Sequence, residues 1–70
     1  MEIGKLIKCC LSYKEMSMAE LADKLGVTQQ NVSQRLKVGK FTTKELNRIA
    51  EKMGAEYHAY FLFPDGTKIE

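Results

Sequence analysis

Apolar residues recur along the first three quarters of the chain at the spacing of amphipathic helices. A first helix is predicted from about Glu2 to Tyr13, with its apolar residues at i, i+3, i+4, i+7 and i+8: Ile3, Leu6, Ile7, Cys10 and Leu11. Two shorter helices follow on either side of Gly26, a residue type that commonly ends helices. The last helix carries a buried stripe and ends at Gly54; the stripe is Leu46, Ile49, Ala50 and Met53.

Three of the predicted helix starts carry the same capping signals. Ser17 with Glu20, and Thr42 with Glu45, have the spacing of a capping box, in which each side chain bonds the other residue's amide. Thr28 is a suitable N-cap for the helix after Gly26. An apolar residue precedes each cap and can pack onto the new helix: Met16, Val27 and Phe41. Local signals and apolar periodicity therefore agree on a small helical bundle.

The pattern changes after Gly54. Residues 56–63 are aromatic-rich and predict a strand, Pro64-Asp65-Gly66 predicts a turn, and residues 67–69 can form a returning strand. Both faces of this hairpin are largely apolar, and an isolated two-stranded hairpin is only marginally stable. Packing across the helices or pairing with a second subunit would cover it, and we expect both. The expected dimer interface comprises Tyr57, Ala59, Tyr60, Phe61 and Phe63.

Length and composition limit the classes of protein to consider. The 70 residues suffice for one domain, divided into a helical core at 1–54 and the hairpin at 55–70. A chain of this size buries little surface, so a partner subunit is expected. The 44% hydrophobic content is ordinary for a folded domain, and no apolar run is long enough to cross a membrane. We expect a soluble, cytoplasmic protein with no membrane partner.

The formal net charge is only +2, but the charges are unevenly distributed. No acidic residue occurs between Thr28 and Lys44, a stretch that contains four basic residues: Arg35, Lys37, Lys40 and Lys44. The outward face of the helix that follows Thr28 consists of amides and hydroxyls: Gln29, Gln30, Asn31, Ser33 and Gln34. A glutamine amide can bond adenine bidentately in the major groove, and the lysines suit phosphates. The alternative is the solvated face of a purely structural helical hairpin.

Residues 16–54 resemble the lambdoid phage repressor and Cro class of helix-turn-helix proteins, also called xenobiotic-response-element-like regulators. The resemblance is carried by AELADKLGVTQQNVSQ at 19–34, by Gly39-Lys40 and by the helix that follows. It implies a mainly α (α+β) fold, a four-helix lambda-repressor-like domain with its helix-turn-helix at about 17–37, ending here in a C-terminal β-hairpin as Cro-type proteins end in strands. In that class a C-terminal strand commonly mediates dimerisation.

The resemblance also implies roles for individual residues. The residues expected to contact bases are Gln29, Gln30, Ser33 and Gln34. Those assigned to phosphates are Met18 through its amide, Thr28, Lys37, Gly39, Lys40 and Lys44. Two positions depart from the family pattern. Met18 stands where glutamine is frequent, and Arg35 occupies a usually apolar position, with Leu36 taking the apolar role, which predicts a reading helix rotated or extended by one residue.

The leading hypothesis is a DNA-binding regulator, most simply a repressor that binds an operator as a homodimer. The second is an antitoxin or small adaptor whose hairpin binds a protein partner. An enzyme is not expected, because His58 lies in the predicted strand without a nucleophile or metal-ligand spacing around it. The adjacent Cys9 and Cys10 are interpreted as a surface and a core residue rather than a sensor. No cofactor is expected.

Overall fold

A computed structural model describes residues 2–69, in which four helices precede a short β-hairpin. The helices are α1 (Ile3–Lys14), α2 (Met18–Leu25), α3 (Gln29–Val38) and α4 (Thr43–Lys52), and the strands are β1 (Phe61–Leu62) and β2 (Lys68–Ile69). The mainly helical class and the C-terminal hairpin are confirmed. Residues 1 and 70, the outer bounds of the two predicted segments, lie outside the described residues. Within 2–69, no helix is long and apolar enough to cross a membrane.

The three predicted N-caps are confirmed. The Ser17 hydroxyl accepts from the Glu20 N–H at 3.0 Å, and the Glu20 carboxylate accepts from the Ser17 N–H at 3.2 Å. Thr42 and Glu45 form the same reciprocal pair, at 3.1 and 3.0 Å. The Thr28 hydroxyl accepts from the amide of the third helical residue of α3 at 3.0 Å. These bonds satisfy amides that a helix start leaves without partners, so the chain itself fixes where α2, α3 and α4 begin.

Every helix contributes to one apolar core. Leu21 of α2 is completely buried at its centre, and the other buried members of the cluster are Ile7, Leu11, Ala22, Val32, Leu36, Ile49 and Met53. The predicted stripe of α4 is confirmed, with Leu46 packing at its edge. The predicted stripe of α1 is wrong at Leu6, which is 42% exposed. The buried face of α1 is centred on Gly4, Ile7 and Leu11, and Leu6 lies on its flank.

The hairpin is much shorter than the strand predicted over 56–63. Phe61 pairs with Ile69 and Leu62 with Lys68, antiparallel, around a turn in which Gly66 has φ 90°. The Asp65 carboxylate accepts from the Thr67 N–H at 2.9 Å, so the predicted turn is confirmed. In this register residues 56–59 have no opposite residue among those described, which is why a strand propensity over eight residues yields a two-residue ladder.

The expectation that the hairpin packs across the helices is wrong. The apolar residues of the core and those packed against it all lie between Ile3 and Met53. Phe61 is 76% exposed and Leu62 is 63% exposed, so the hairpin leaves its apolar side chains uncovered. The helices bury their apolar faces among themselves, and residues 58–69 are exposed.

Candidate nucleic-acid interface

The α2–α3 pair is joined by a tight turn. Gly26 ends α2 in the left-handed conformation, with φ 73°, where a residue with a side chain would be strained. The Val27 N–H donates to the Ala22 carbonyl at 3.0 Å, and Thr28 starts the next helix. The Arg48 guanidinium donates to the Leu25 carbonyl at 3.1 Å, which ties α4 to the end of α2. The turn is therefore held by bonds on both sides.

One side of α3 is anchored in the core and the other is open. Val32 and Leu36, four residues apart, are both buried. The four residues predicted to contact bases are all exposed, and they line a shared shallow surface hollow: Gln29, Gln30, Ser33 and Gln34. A second hollow beside it is lined by Thr28, Gln30, Asn31 and Gln34. We call the first set, Gln29, Gln30, Ser33 and Gln34, the polar face of α3.

The residues assigned to phosphates differ in the groups that they expose. The Met18 side chain packs against the core, so its amide, at the first position of α2, is the group it offers. Thr28 is exposed, and its hydroxyl is engaged as the N-cap of α3. Lys37 is exposed seven residues after Gln30, which places both on the same side of α3.

The remaining three lie after α3 or at the start of α4. Gly39 ends α3 in the left-handed conformation, and its N–H donates to the Arg35 carbonyl at 2.9 Å. That amide is already used, so Gly39 shapes the turn rather than presenting an amide outward. Lys40 and Lys44 are exposed, the first in the connection to α4 and the second in its first turn. We call the three exposed lysines, Lys37, Lys40 and Lys44, the basic edge; they follow the polar face along the chain.

Sequence reasoning missed the contacts of Arg35. Its guanidinium donates to the Lys40 carbonyl at 3.2 Å, pairs with the Glu45 carboxylate, and lies with Cζ 5.1 Å from the centroid of the Phe41 ring. Leu36 is buried and Arg35 is half-buried, and α3 continues to Val38. The hydrogen bond from the Thr42 N–H, and then that from Arg35, holds the pKa of Glu45 below its usual range.

A second missed feature is the approach of α1 to the end of α3. Glu2 and Gly4 line one hollow together with Lys37 and Gly39. Glu2 therefore lies on the same hollow as Lys37, although it is distant from the basic stretch in sequence. The signal was present as a glycine inside an amphipathic helix, which indicates a close backbone approach.

Outside the polar face, the described residues form a cavity and include two cysteines. A cavity of about 210 Å³ opens between α2, α3 and α4, with mainly apolar walls that include Leu25, Val27, Phe41 and Ile49. Cys9 is exposed and Cys10 is half-buried, as predicted. No cluster of three metal-ligating side chains occurs within the described part of the chain.

The predicted dimer residues remain accessible in the single chain. Tyr57 is half-buried, whereas Ala59, Tyr60, Phe61 and Phe63 are exposed. The Lys68 ammonium lies 4.7 Å from the centroid of the Tyr60 ring, and His58 lies 3.0 Å from the Glu56 carboxylate. Both contacts are local to this segment. No protein-family model, no curated protein and no solved structure matches the chain.

Proposed function

We propose that this chain is a sequence-specific regulator of transcription that binds double-stranded DNA through a lambda-repressor-like helix-turn-helix formed by α2 and α3. The observation that carries the proposal is the division of α3 into a buried side and an exposed polar face without an acid. A helix that reads bases needs this arrangement, because it must be fixed from behind and present hydrogen-bonding groups in front. No cofactor or catalytic step enters the proposal.

The basic edge supports the same function. Lys37, Lys40 and Lys44 follow the polar face and are all exposed. Phosphate contacts position a protein on the duplex, and contacts to base edges select the sequence. In the proposed complex the lysines and the Met18 amide bind phosphates, and Gln30 and Gln34 select bases.

The hairpin supports a homodimer. Its apolar residues are exposed to an extent that a monomer seldom tolerates, and both edges of the two-stranded sheet are open. Antiparallel pairing with a second copy would cover the residues around Phe61 and present two α3 helices to one duplex. Half-sites about 34 Å apart would then be bound together. The simplest regulatory outcome is repression in the cytoplasm by occupation of an operator.

Selection of bound sequences from a random duplex library tests the proposal. We expect enrichment of a two-fold symmetric site by the wild-type protein. The variant carrying both Gln30→Ala and Gln34→Ala is the matched control, and it should bind duplexes without enriching one sequence. A wild-type protein that enriches no sequence would contradict the proposed function.

A second candidate is an antitoxin or adaptor that binds a protein partner through the hairpin. The exposure of Phe61, Leu62 and Phe63 favours this candidate as well. Sedimentation of the purified chain separates the two. A stable dimer supports the regulator, whereas a monomer that aggregates supports a missing protein partner.

A further inference from the structure

The side chain of Arg35 joins three parts of the chain that meet beside the basic edge. It leaves α3 near its C-terminal end and donates to the carbonyl of Lys40 at 3.2 Å. It also pairs with the carboxylate of Glu45 in the first turn of α4. Its guanidinium lies over the ring of Phe41, with Cζ 5.1 Å from the ring centroid. The four connecting residues 39–42 are thus spanned by one side chain.

Glu45 closes this arrangement from the other end. One carboxylate oxygen accepts from the Thr42 N–H at 3.0 Å, and the other pairs with Arg35. A continuous set of bonds therefore runs from the Lys40 carbonyl through Arg35 and Glu45 to the Thr42 amide. The backbone on both sides of Phe41 is held by the same pair of side chains.

We infer that Arg35 is a positioning residue, which fixes residues 39–42 against the end of α3 and so sets the position of the Lys40 backbone, from which the Lys40 ammonium would bind a phosphate. The inference rests on the proposed function for the role of Lys40, and on the contacts above for the role of Arg35. Arg35 does this through the backbone of Lys40 and needs no contact with DNA.

Arginine suits this role better than lysine or an apolar residue. Its planar guanidinium carries five N–H donors in a rigid fork and stacks on aromatic rings, so it can serve the Lys40 carbonyl, Glu45 and Phe41 together. A lysine keeps the charge but is a point donor on a flexible stem. The Arg35 and Glu45 side chains are 41% and 37% exposed, so the pair adds little to folding stability. We expect the pair to affect the position of residues 39–42 rather than the free energy of unfolding.

Two variants test the inference in the intact protein. Arg35→Lys keeps the charge and the stem, and Arg35→Met keeps only the stem. In both, the ¹⁵N order parameters of the Lys40 and Phe41 amides should fall from about 0.85, typical of rigid backbone, toward about 0.6. Order parameters that stay unchanged in Arg35→Lys would overturn the inference, whatever the result with DNA.

The second readout is the salt dependence of binding to a random-sequence duplex. Arg35→Lys should reduce the slope of log affinity against log salt by about one unit per subunit, the amount expected for one lost phosphate contact. In a Lys40→Ala background the same change should reduce the slope no further. Equal losses in both backgrounds would show that Arg35 acts independently of Lys40 and would overturn the inference.

The two failures are distinguishable. A wild-type chain with no salt-dependent affinity for duplexes would contradict the proposed function and the role of Lys40 in it. The order parameters, measured without DNA, would still decide whether Arg35 holds residues 39–42.

Discussion

The carbonyl oxygen of Leu36 occupies the space that a side chain on Gly4 would need: a Cβ at Gly4 would lie 2.1 Å from that oxygen. This contact brings α1 against the C-terminal end of α3, the helix that carries the polar face. Backbone atoms cannot move aside as a flexible side chain can. The close packing of α1 against α3 therefore requires that residue 4 have no side chain.

Replacing Gly4 by alanine should destabilise the protein. Alanine in a helix normally gains about 0.5–1 kcal/mol over glycine. Here overpacking should reverse the sign, with a net loss of about 1–3 kcal/mol in the free energy of unfolding. Urea denaturation measures the change. Lys5→Ala, at an exposed position one residue later in α1, is the control and should have little effect. Equal or higher stability of Gly4→Ala would mean that α1 does not approach α3 this closely.

Gln30→Ala and Gln34→Ala should each weaken binding to the preferred site by about 1–3 kcal/mol, as for loss of a base contact. Affinity for random duplexes should remain nearly unchanged, because neither residue is charged. Titration of fluorescent duplexes measures both. Asn47→Ala, on the exposed side of α4, is the control. Equal losses on specific and random duplexes would remove these glutamines from the set of base-contacting residues.

Lys40→Ala should weaken binding to every sequence and lower the salt slope by about one unit per subunit. The measurement is log affinity against log salt, on specific and random duplexes alike. Lys8→Ala removes the same charge from an exposed position on α1 and should leave the slope unchanged. If the two variants change the salt slope equally, Lys40 does not make the proposed phosphate contact.

The acid sensitivity of the fold should depend on Glu45. The folded state lowers the pKa of this carboxyl, first through the Thr42 N–H and then through Arg35. Its contribution is therefore complete above the unfolded pKa of about 4.3 and is lost as pH falls through the lower folded value. Glu45→Gln should flatten the fall in stability below about pH 4. Urea melts between neutral and acidic pH measure this, with Glu51→Gln on the same helix as control. Parallel pH profiles for wild type and Glu45→Gln would contradict the assignment.

Phe61→Ser should shift the protein from dimer to monomer and reduce its affinity for a symmetric site. Phe61 is 76% exposed in the single chain, so the change should leave the helical core folded. Sedimentation equilibrium measures the association, and helical circular dichroism checks the fold. Tyr13→Ser removes an aromatic residue that is 87% exposed on α1, and it should leave association unchanged. A Phe61→Ser protein that remains dimeric would place the interface in the helices.

Sequence signals were strongest where they act over three or four residues. In the pairs Ser17 with Glu20 and Thr42 with Glu45, each side chain bonds an amide only three residues away. The helix starts could therefore be predicted without knowledge of the fold. Leu6 was misplaced because periodicity defines a broad apolar face, and tertiary packing selects the part that is buried. The approach of Leu36 to Gly4, distant in sequence, shows which part that is.

The candidate site also contains one part that could be predicted from the sequence and one part that could not. The polar face of α3 could be predicted because buried and exposed positions follow the helical repeat within one element, as Val32 and Leu36 do. The role of Arg35 could not, because its partners depend on how residues 39–42 turn and where α4 begins. The strand over 56–63 was overestimated because pairing needs an opposite strand, and propensity alone does not supply one.

Among the described residues, no hairpin side chain belongs to the apolar core of the helices, and the structure is elongated, at 44 × 23 × 19 Å. Substitutions at well-separated sites that share no partners contribute additively to free energy. In the proposed dimer, the choice of partner subunit could then change through residues 55–70 while the DNA preference proposed for α3 stays the same. Under this proposal, exchange of this segment between similar chains would change which copies assemble without altering the DNA site that each copy binds.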